Sequence, residues 1–138
     1  MNINAIQDEI IDELSRFEDW FDKYEYLVKA GQNLPDPDKY LKIERNQIIG
    51  CQSKVWLSAE RKDDKVYFNA DSDALITKGL LALLLRVLSG QSHRDIAACD
   101  LYFIEQTGLA SNLSPSRANG LASIVKHMKK QVGVLRAV

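Results

Sequence analysis

Apolar residues recur at three- and four-residue steps at the start of the chain. Ile3, Ile6, Ile10, Leu14 and Phe17 fall on one side of a helix, and Asp8, Glu9, Asp12 and Glu13 lie on the other. Residues 3–17 are therefore predicted to form an amphipathic helix. Trp20, Tyr24, Leu27 and Val28 repeat the pattern up to Gly31, a residue suited to stop a helix. The stretch "NLPDPDKY" then supplies prolines and turn formers, so 32–40 reads as a loop. From Cys51 to Arg61 the period shortens to two. Val55, Leu57 and Ala59 share one face and Lys54, Ser58 and Glu60 the other, which predicts a half-buried strand. "KDDK" follows as a turn and "VYFNA" as an antiparallel partner.

Ala74 to Leu88 is apolar on nearly every side, interrupted by Lys78 and Arg86, and predicts a helix wrapped by the rest of the fold. The "DSD" before it, residues 71–73, reads as its N-cap and first-turn acids. Ser92 caps a short helix, and Tyr102 to Thr107 forms another that ends at Gly108. Ser114 as N-cap and Pro115 at the first helical position open a last helix, with Leu121, Ile124, Val125, Met128 and Val132 as its apolar face. Helices, then strands, then helices without βαβ alternation indicate an α+β fold. The expected architecture is a small antiparallel sheet, about three strands, packed against several helices as one domain over 1–138.

Composition narrows the partners. Formal net charge is -1, from 18 basic and 19 acidic residues, so no overall field attracts nucleic acid or an anionic membrane. The longest apolar run, "GLLALLLRVL", is too short to span a bilayer. "MNINAIQDEIIDELSRF" lacks the marks of a secretory signal, and a reducing cytoplasm is the expected location. There, Cys51 and Cys99 do not build a disulfide framework, and with His93 and His127 they do not match a zinc-site spacing.

Cys51 follows Gly50 and shares the parity of Val55 and Leu57, which puts it at the upstream end of the strand's apolar face. Two readings fit that place. One is a small hydrophobe closing the end of the core; the other is a thiol reachable from a surface loop, able to react with a large partner and then turn inward. Cys99, among small apolar residues, reads as structural. Arg117 stands in the first turn of the last helix, where the helix dipole disfavours a cation. It is either a solvated side chain or, with Ser114, Ser116 and the free N–H groups, part of an anion or thiolate site. "HRD" at 93–95 lacks the motifs that accompany it in kinases, and "KHMKK" at 126–130 reads as a solvated helix face.

Four stretches together resemble one family. "WFDKYEYLVKAGQNLP" (20–35), "IIGCQSKVWL" (48–57), "DSDALITKGLLALLL" (71–85) and "LSPSRANGL" (113–121) are similar, in order and spacing, to the signature segments of the SufE-like sulfur acceptor proteins. Ala70 departs from the glycine common before the D-S-D turn. "GCQS" looks like one branch of the family and "GLLALLLRVLSGQS" as much like another, so the partner desulfurase stays open.

The resemblance implies a two-layer sandwich related to iron–sulfur scaffold proteins. It also implies a sulfur carrier that takes persulfide sulfur from a cysteine desulfurase, stimulates that enzyme, and passes the sulfur to an iron–sulfur scaffold or another acceptor. Pyridoxal phosphate belongs to the desulfurase, and the carrier needs no cofactor of its own. Carried over by position, Cys51 is the acceptor, flanked by Gly50 and Gln52. Asp73 is the acidic residue near the cysteine loop, and Arg117 the arginine near the same surface. The expectation is that Arg117 and its helix N-terminus lie near Cys51 in some conformations and favour the thiolate there, that Asp73 steadies the loop, and, from the apolar parity of Cys51, that the resting thiol turns inward and swings out on docking. Two alternatives remain: a regulator that binds the desulfurase without carrying sulfur, and a cluster scaffold. The second needs about three or four thiolates, whereas the chain has 2 cysteines.

Overall fold

In the computed structural model, which describes residues 1–136, the first helix, α1 (Ile3–Ser15), starts at Asn2. The Asn2 side chain accepts the Ala5 N–H at 2.7 Å, a standard N-cap. Its inner face carries Ile3, Ile10 and Leu14, as the spacing predicts. Asp19 caps α2 (Trp20–Gln32) in the same way, accepting from the Asp22 N–H at 2.9 Å. Gly31, predicted as the stop, lies inside α2. Its role is a close approach to the neighbouring α3 (Leu75–Leu88): a Cβ on Gly31 would come within 2.9 Å of the Gly79 nitrogen. After α2 an irregular segment, with one 3₁₀ turn at Glu44–Asn46, leads back toward the sheet.

The sheet has three antiparallel strands in the order β1 (Val55–Lys62), β2 (Lys65–Ser72), β3 (Gln91–Ser92). Asp63, at φ 59, and Asp64 make the tight turn between β1 and β2, and the register runs from Val55 opposite Ser72 to Lys62 opposite Lys65. Val55, Leu57, Val66, Phe68 and Ala70 are buried on the side facing the helices. This α+β sandwich is the fold class the pattern predicts.

Helix α3 is the centre of the molecule. It packs on α2, on α1 and on β2, and its Leu80, Leu81, Leu83, Leu84, Val87 and Leu88 are all buried. The short helices α4 (His93–Ala98), α5 (Tyr102–Gln106) and α6 (Leu109–Asn112) follow, and then α7 (Pro115–Arg136), which lies against β1 and α4. Ser92 caps α4, accepting the Asp95 N–H at 3.1 Å. No helix among the described residues is long and apolar enough to cross a membrane.

Most buried polar side chains are matched; His93 Nδ1 and one Asp71 oxygen are buried without a hydrogen-bond partner among the described residues. Gln7 on α1 donates to the Asp100 carbonyl at 3.0 Å and accepts the Phe103 N–H at 3.1 Å, joining α1 to α5. Arg86, the charge that interrupts α3, meets Glu13 and Glu9 on α1, each at 2.6 Å. The hydrogen bond from Arg86 holds the Glu13 carboxyl below its ordinary range, against burial that would raise it. Tyr26 donates to Glu13 at 2.8 Å, and burial together with that bond pushes its hydroxyl up to about 12.

Candidate functional site

Residues 49–54 form a loop whose neck is closed on one side by the sheet. Ile48, buried, donates its N–H to the Val55 carbonyl at 2.8 Å, and Gln47 pairs with Trp56 as an isolated bridge. The strand thus begins at Val55 and not at Cys51, and the alternation through 51–54 corresponds to no strand. Gly50 turns the chain at φ 99, a left-handed conformation that L side chains rarely adopt. Ser123 on α7 stands 3.0 Å from where a Gly50 Cβ would be.

A second set of bonds ties the downstream side of the loop to the start of α3. Ser72 donates its hydroxyl to the Lys54 carbonyl at 2.8 Å, and Asp73 accepts the Lys54 N–H at 3.0 Å. The Asp73 N–H returns to the Lys54 carbonyl at 3.3 Å, and the Ser53 and Thr77 hydroxyls are 3.4 Å apart. The "DSD" segment is therefore not the cap of α3 that its composition suggests. Asp71 and Ser72 end β2, Ala74 is the N-cap residue, and the Ser72 hydroxyl accepts the Ala74 N–H at 3.2 Å. Asp73 serves the cysteine loop.

Asp71 has a different task. Its buried carboxylate meets Lys42 at 3.0 Å and Lys78 at 3.5 Å. Burial would raise this carboxyl, but the Lys42 hydrogen bond, the Ser72 N–H and the Lys78 charge together hold it below the ordinary range. Lys42 also lies over the Trp56 ring, 5.3 Å from its centroid. One carboxylate thereby fastens the long segment after α2 to the strand beside the loop.

Cys51 is half-buried, with Sγ directed at α7 and 3.7 Å from the Gly120 carbonyl oxygen, to which the thiol donates a weak bond. Gly120 faces the thiol closely: a Cβ there would sit 3.6 Å from Sγ, in ordinary van der Waals contact with it. Around the sulfur is a recess of about 210 Å³, bounded by Gln52, Ser53, Thr77, Leu80, Leu121 and Ile124, with Arg117 and Ser116 among its lining residues. Burial pushes the Cys51 thiol up, and no neighbouring charge acts against that push.

Of the residues singled out from sequence, Cys51, Gln52 and Arg117 come together at this recess. Asp73 reaches it through Lys54, and Gly50 lies beside Cys51 at the solvent side. Arg117 is positioned as the capping signals predict, its N–H donating to the Ser114 hydroxyl at 3.3 Å. Its guanidinium is exposed and meets no acceptor among the described residues. Its charge is not among the influences on the resting thiol, which is shifted by burial alone. Cys51 is turned inward because of α7, 69 positions away, and not because of strand parity. Thr77 and Gly120 escaped the sequence reading; a glycine inside an otherwise regular helix was the available signal for the second.

Cys99 is the C-cap residue of α4 and half-buried. Burial pushes its thiol up in spite of the Lys129 charge, and Lys129 donates to the Cys99 carbonyl at 2.7 Å. It lines a different recess from that of Cys51. No group of three or more His, Cys, Asp or Glu side chains among the described residues is arranged to hold a metal ion.

Proteins similar to this chain occur in bacteria and in a plant. An uncharacterised SufE-like protein of Rhizobium etli is 38% identical over 138 residues, covering 96% of this chain and 93% of its own length. A SufE-like protein of Synechocystis is 40% identical, with 87% and 76% covered. The chloroplastic/mitochondrial SufE-like protein 1 of Arabidopsis thaliana is 42% identical over 79% of this chain but only 30% of its own length. The solution structure of a hypothetical protein from Thermus thermophilus shares the fold, with a TM-score of 0.80 over 96% of this chain and 97% of that one at 18% identity. Residues 8–132 match the SufE family, described as an Fe-S metabolism associated domain, and with relatives this similar along nearly its whole length the chain belongs to that family.

Proposed function

We propose that the chain is a sulfur carrier. It takes sulfane sulfur from a pyridoxal-phosphate-dependent cysteine desulfurase onto Cys51 and passes it on for iron–sulfur cluster assembly. The observation that carries this reading is the seat of the thiol. Cys51 stands in a short loop tied at both ends, with its sulfur in a recess that has room beside it for one more sulfur atom.

The chemistry is thiol exchange. The Cys51 thiolate attacks the outer sulfur of the donor persulfide, the donor's S–S bond breaks, and a new one forms to give Cys51–S–SH. The electron pair of the broken bond leaves with the donor cysteine as its thiolate. The transferred sulfur keeps its oxidation state and no external oxidant or reductant is consumed. Clearing the donor cysteine allows the next turnover, which is how a carrier stimulates its desulfurase. A second exchange, with a scaffold or other acceptor thiol as nucleophile, releases the sulfur.

At rest the thiol is in its unreactive form, because burial favours S–H over S⁻. Transfer therefore needs the loop to move out, and Arg117, on the rim and without a side-chain partner among the described residues, then supplies a cation near the emerging thiolate. After loading, return to the recess shelters the persulfide from water and oxidants. Asp73 holds the downstream end of the loop through Lys54 so that the movement is confined.

The direct test is the intact mass after incubation with a desulfurase and cysteine. One added sulfur atom, removable by a reducing thiol, is expected; an unchanged mass overturns the reading. The resting state has its own measurement, the pH profile of alkylation by iodoacetamide in a Cys99→Ser background. Because burial raises the Cys51 thiol, the native profile is expected to rise at higher pH than that of the urea-unfolded protein. A native midpoint at or below the unfolded one counts against an inward resting thiol.

A further inference from the structure

We infer that Ile49 and Leu75, with the cations of Lys54 and Arg117, form the surface on which the sulfur donor docks, an apolar pair set among basic groups that fits an apolar depression rimmed by carboxylates. The inference rests on the reading of Cys51 as acceptor and adds to it the contact face of the partner. Ile49 is 93% exposed and Leu75 66% exposed, a large outlay of branched aliphatic surface for two residues beside one thiol. Ile49 is two positions before Cys51, between the buried Ile48 and the left-handed Gly50. Leu75 opens α3 directly after Ala74, which lines the Cys51 recess, and Asp73 on its other side is bonded to Lys54.

Neither residue is held out by a packing need. Helix α3 buries its core face from Thr77 onward without Leu75, and the loop is fastened by Ile48 and Lys54 and not by Ile49. Each of the two is a near neighbour in sequence of a residue that lines this recess, Ile49 two positions before Cys51 and Leu75 directly after Ala74, whereas the other strongly exposed apolar residues, Met1, Phe21, Tyr40 and Val134, are not.

The charges choose the kind of partner. Lys54 and Arg117 are exposed, and neither cationic head meets a carboxylate among the described residues. The acids nearby are fewer: Asp73 keeps its charge while accepting the Lys54 backbone N–H, and the buried Asp71 is outnumbered by Lys42 and Lys78. The face around the thiol is thus net positive on a chain whose formal total is -1. A positive, partly apolar face steers and then anchors a partner whose own persulfide cysteine lies in an acidic-rimmed hollow.

The test is the rate of Cys51 persulfide formation as a function of the concentration of this protein, with a cysteine desulfurase and cysteine. The Ile49→Ala/Leu75→Ala variant is expected to raise the half-saturating concentration on the order of tenfold while leaving the saturating rate within about twofold. Lys54→Glu is expected to raise it as well, and added salt to raise it for the wild type but much less for Lys54→Glu. Equal half-saturation in wild type and double variant overturns the docking face while leaving the carrier reading intact. Failure of the wild type to load at any concentration overturns the carrier reading itself. A matching change in iodoacetamide alkylation of the free double variant would assign the loss to a disturbed loop. A difference seen only in self-association by sedimentation would assign the surface to a second copy of this chain. Either result overturns the inference.

Discussion

Cys51→Ser is expected to abolish sulfur acceptance completely, and stimulation of the desulfurase with it, while the protein stays folded. A hydroxyl in place of the thiol is not ionised near neutral pH and cannot open a persulfide S–S bond, so no slow residual transfer remains. The folded state gives up little. Cys51 is only half-buried, and its one polar contact is a long bond to the Gly120 carbonyl. A serine oxygen, on a shorter bond than the sulfur, falls out of reach of that carbonyl, and the loss of so weak a contact at a half-buried site costs about 1 kcal/mol or less. Intact mass and desulfurase turnover, measured together, read both arms. Lost mass gain with retained stimulation would identify a regulator that works by binding alone. Cys99→Ser, altered at the other half-buried thiol in a separate recess, is the matched control and is expected to load normally.

Gly79→Ala carries the largest expected effect on stability. Gly79 sits in the middle of α3 where α2 crosses closest, and an added Cβ would fall inside contact distance of the Leu27 carbonyl oxygen, with the carbonyl carbon at 2.7 Å and the Leu27 Cβ at 3.0 Å. Most of those atoms are backbone, so relief requires moving a whole helix against a buried leucine-rich core. Alanine favours the helix by about 1 kcal/mol over glycine, whereas forced overpacking costs about 1–3 kcal/mol and occasionally more. With backbone atoms this close the cost falls at the upper end of that range and the second effect wins, so a net loss of about 2 kcal/mol is expected, lowering the melting temperature on the order of 10 °C. Gly133→Ala on α7 is the contrast: nothing lies within 4 Å of its Cβ, and a gain of about 0.5–1 kcal/mol is expected from helix propensity alone. Urea unfolding of the two variants decides the matter, and a Gly79→Ala protein as stable as wild type would show that the helices do not need their close approach.

The elements with a sustained period were legible without coordinates. Helices α1, α2, α3 and α7 and the β1–β2 hairpin follow the repeats of their apolar residues, because each buries a continuous face. The misreadings have local causes. Residues 51–54 happen to continue the alternation of β1, but Gly50 and the bonds at Lys54 bend the chain out of the sheet. Gly31 is ambiguous because glycine serves equally to end a helix and to let another approach. Strand β3 has only Gln91 and Ser92, too few for any period to show. At the site, the motif picked out Cys51, Asp73 and Arg117, yet their electrical relation could not be read from it. The burial that governs the thiol comes from Gly120 and its neighbours on α7, a contact between distant parts of the chain.

The double fastening of the cysteine loop also fixes a length. Ile48 is locked to Val55, and Lys54 is locked to Ser72 and Asp73, so only 49–53 are free to unfurl. Cys51 stands three steps from each anchor, and three fully extended residues span at most about 10 Å. The tether is therefore a short one: it can deliver sulfur to, or fetch it from, a shallow position, and a thiol seated any deeper in another protein must travel outward to complete the exchange.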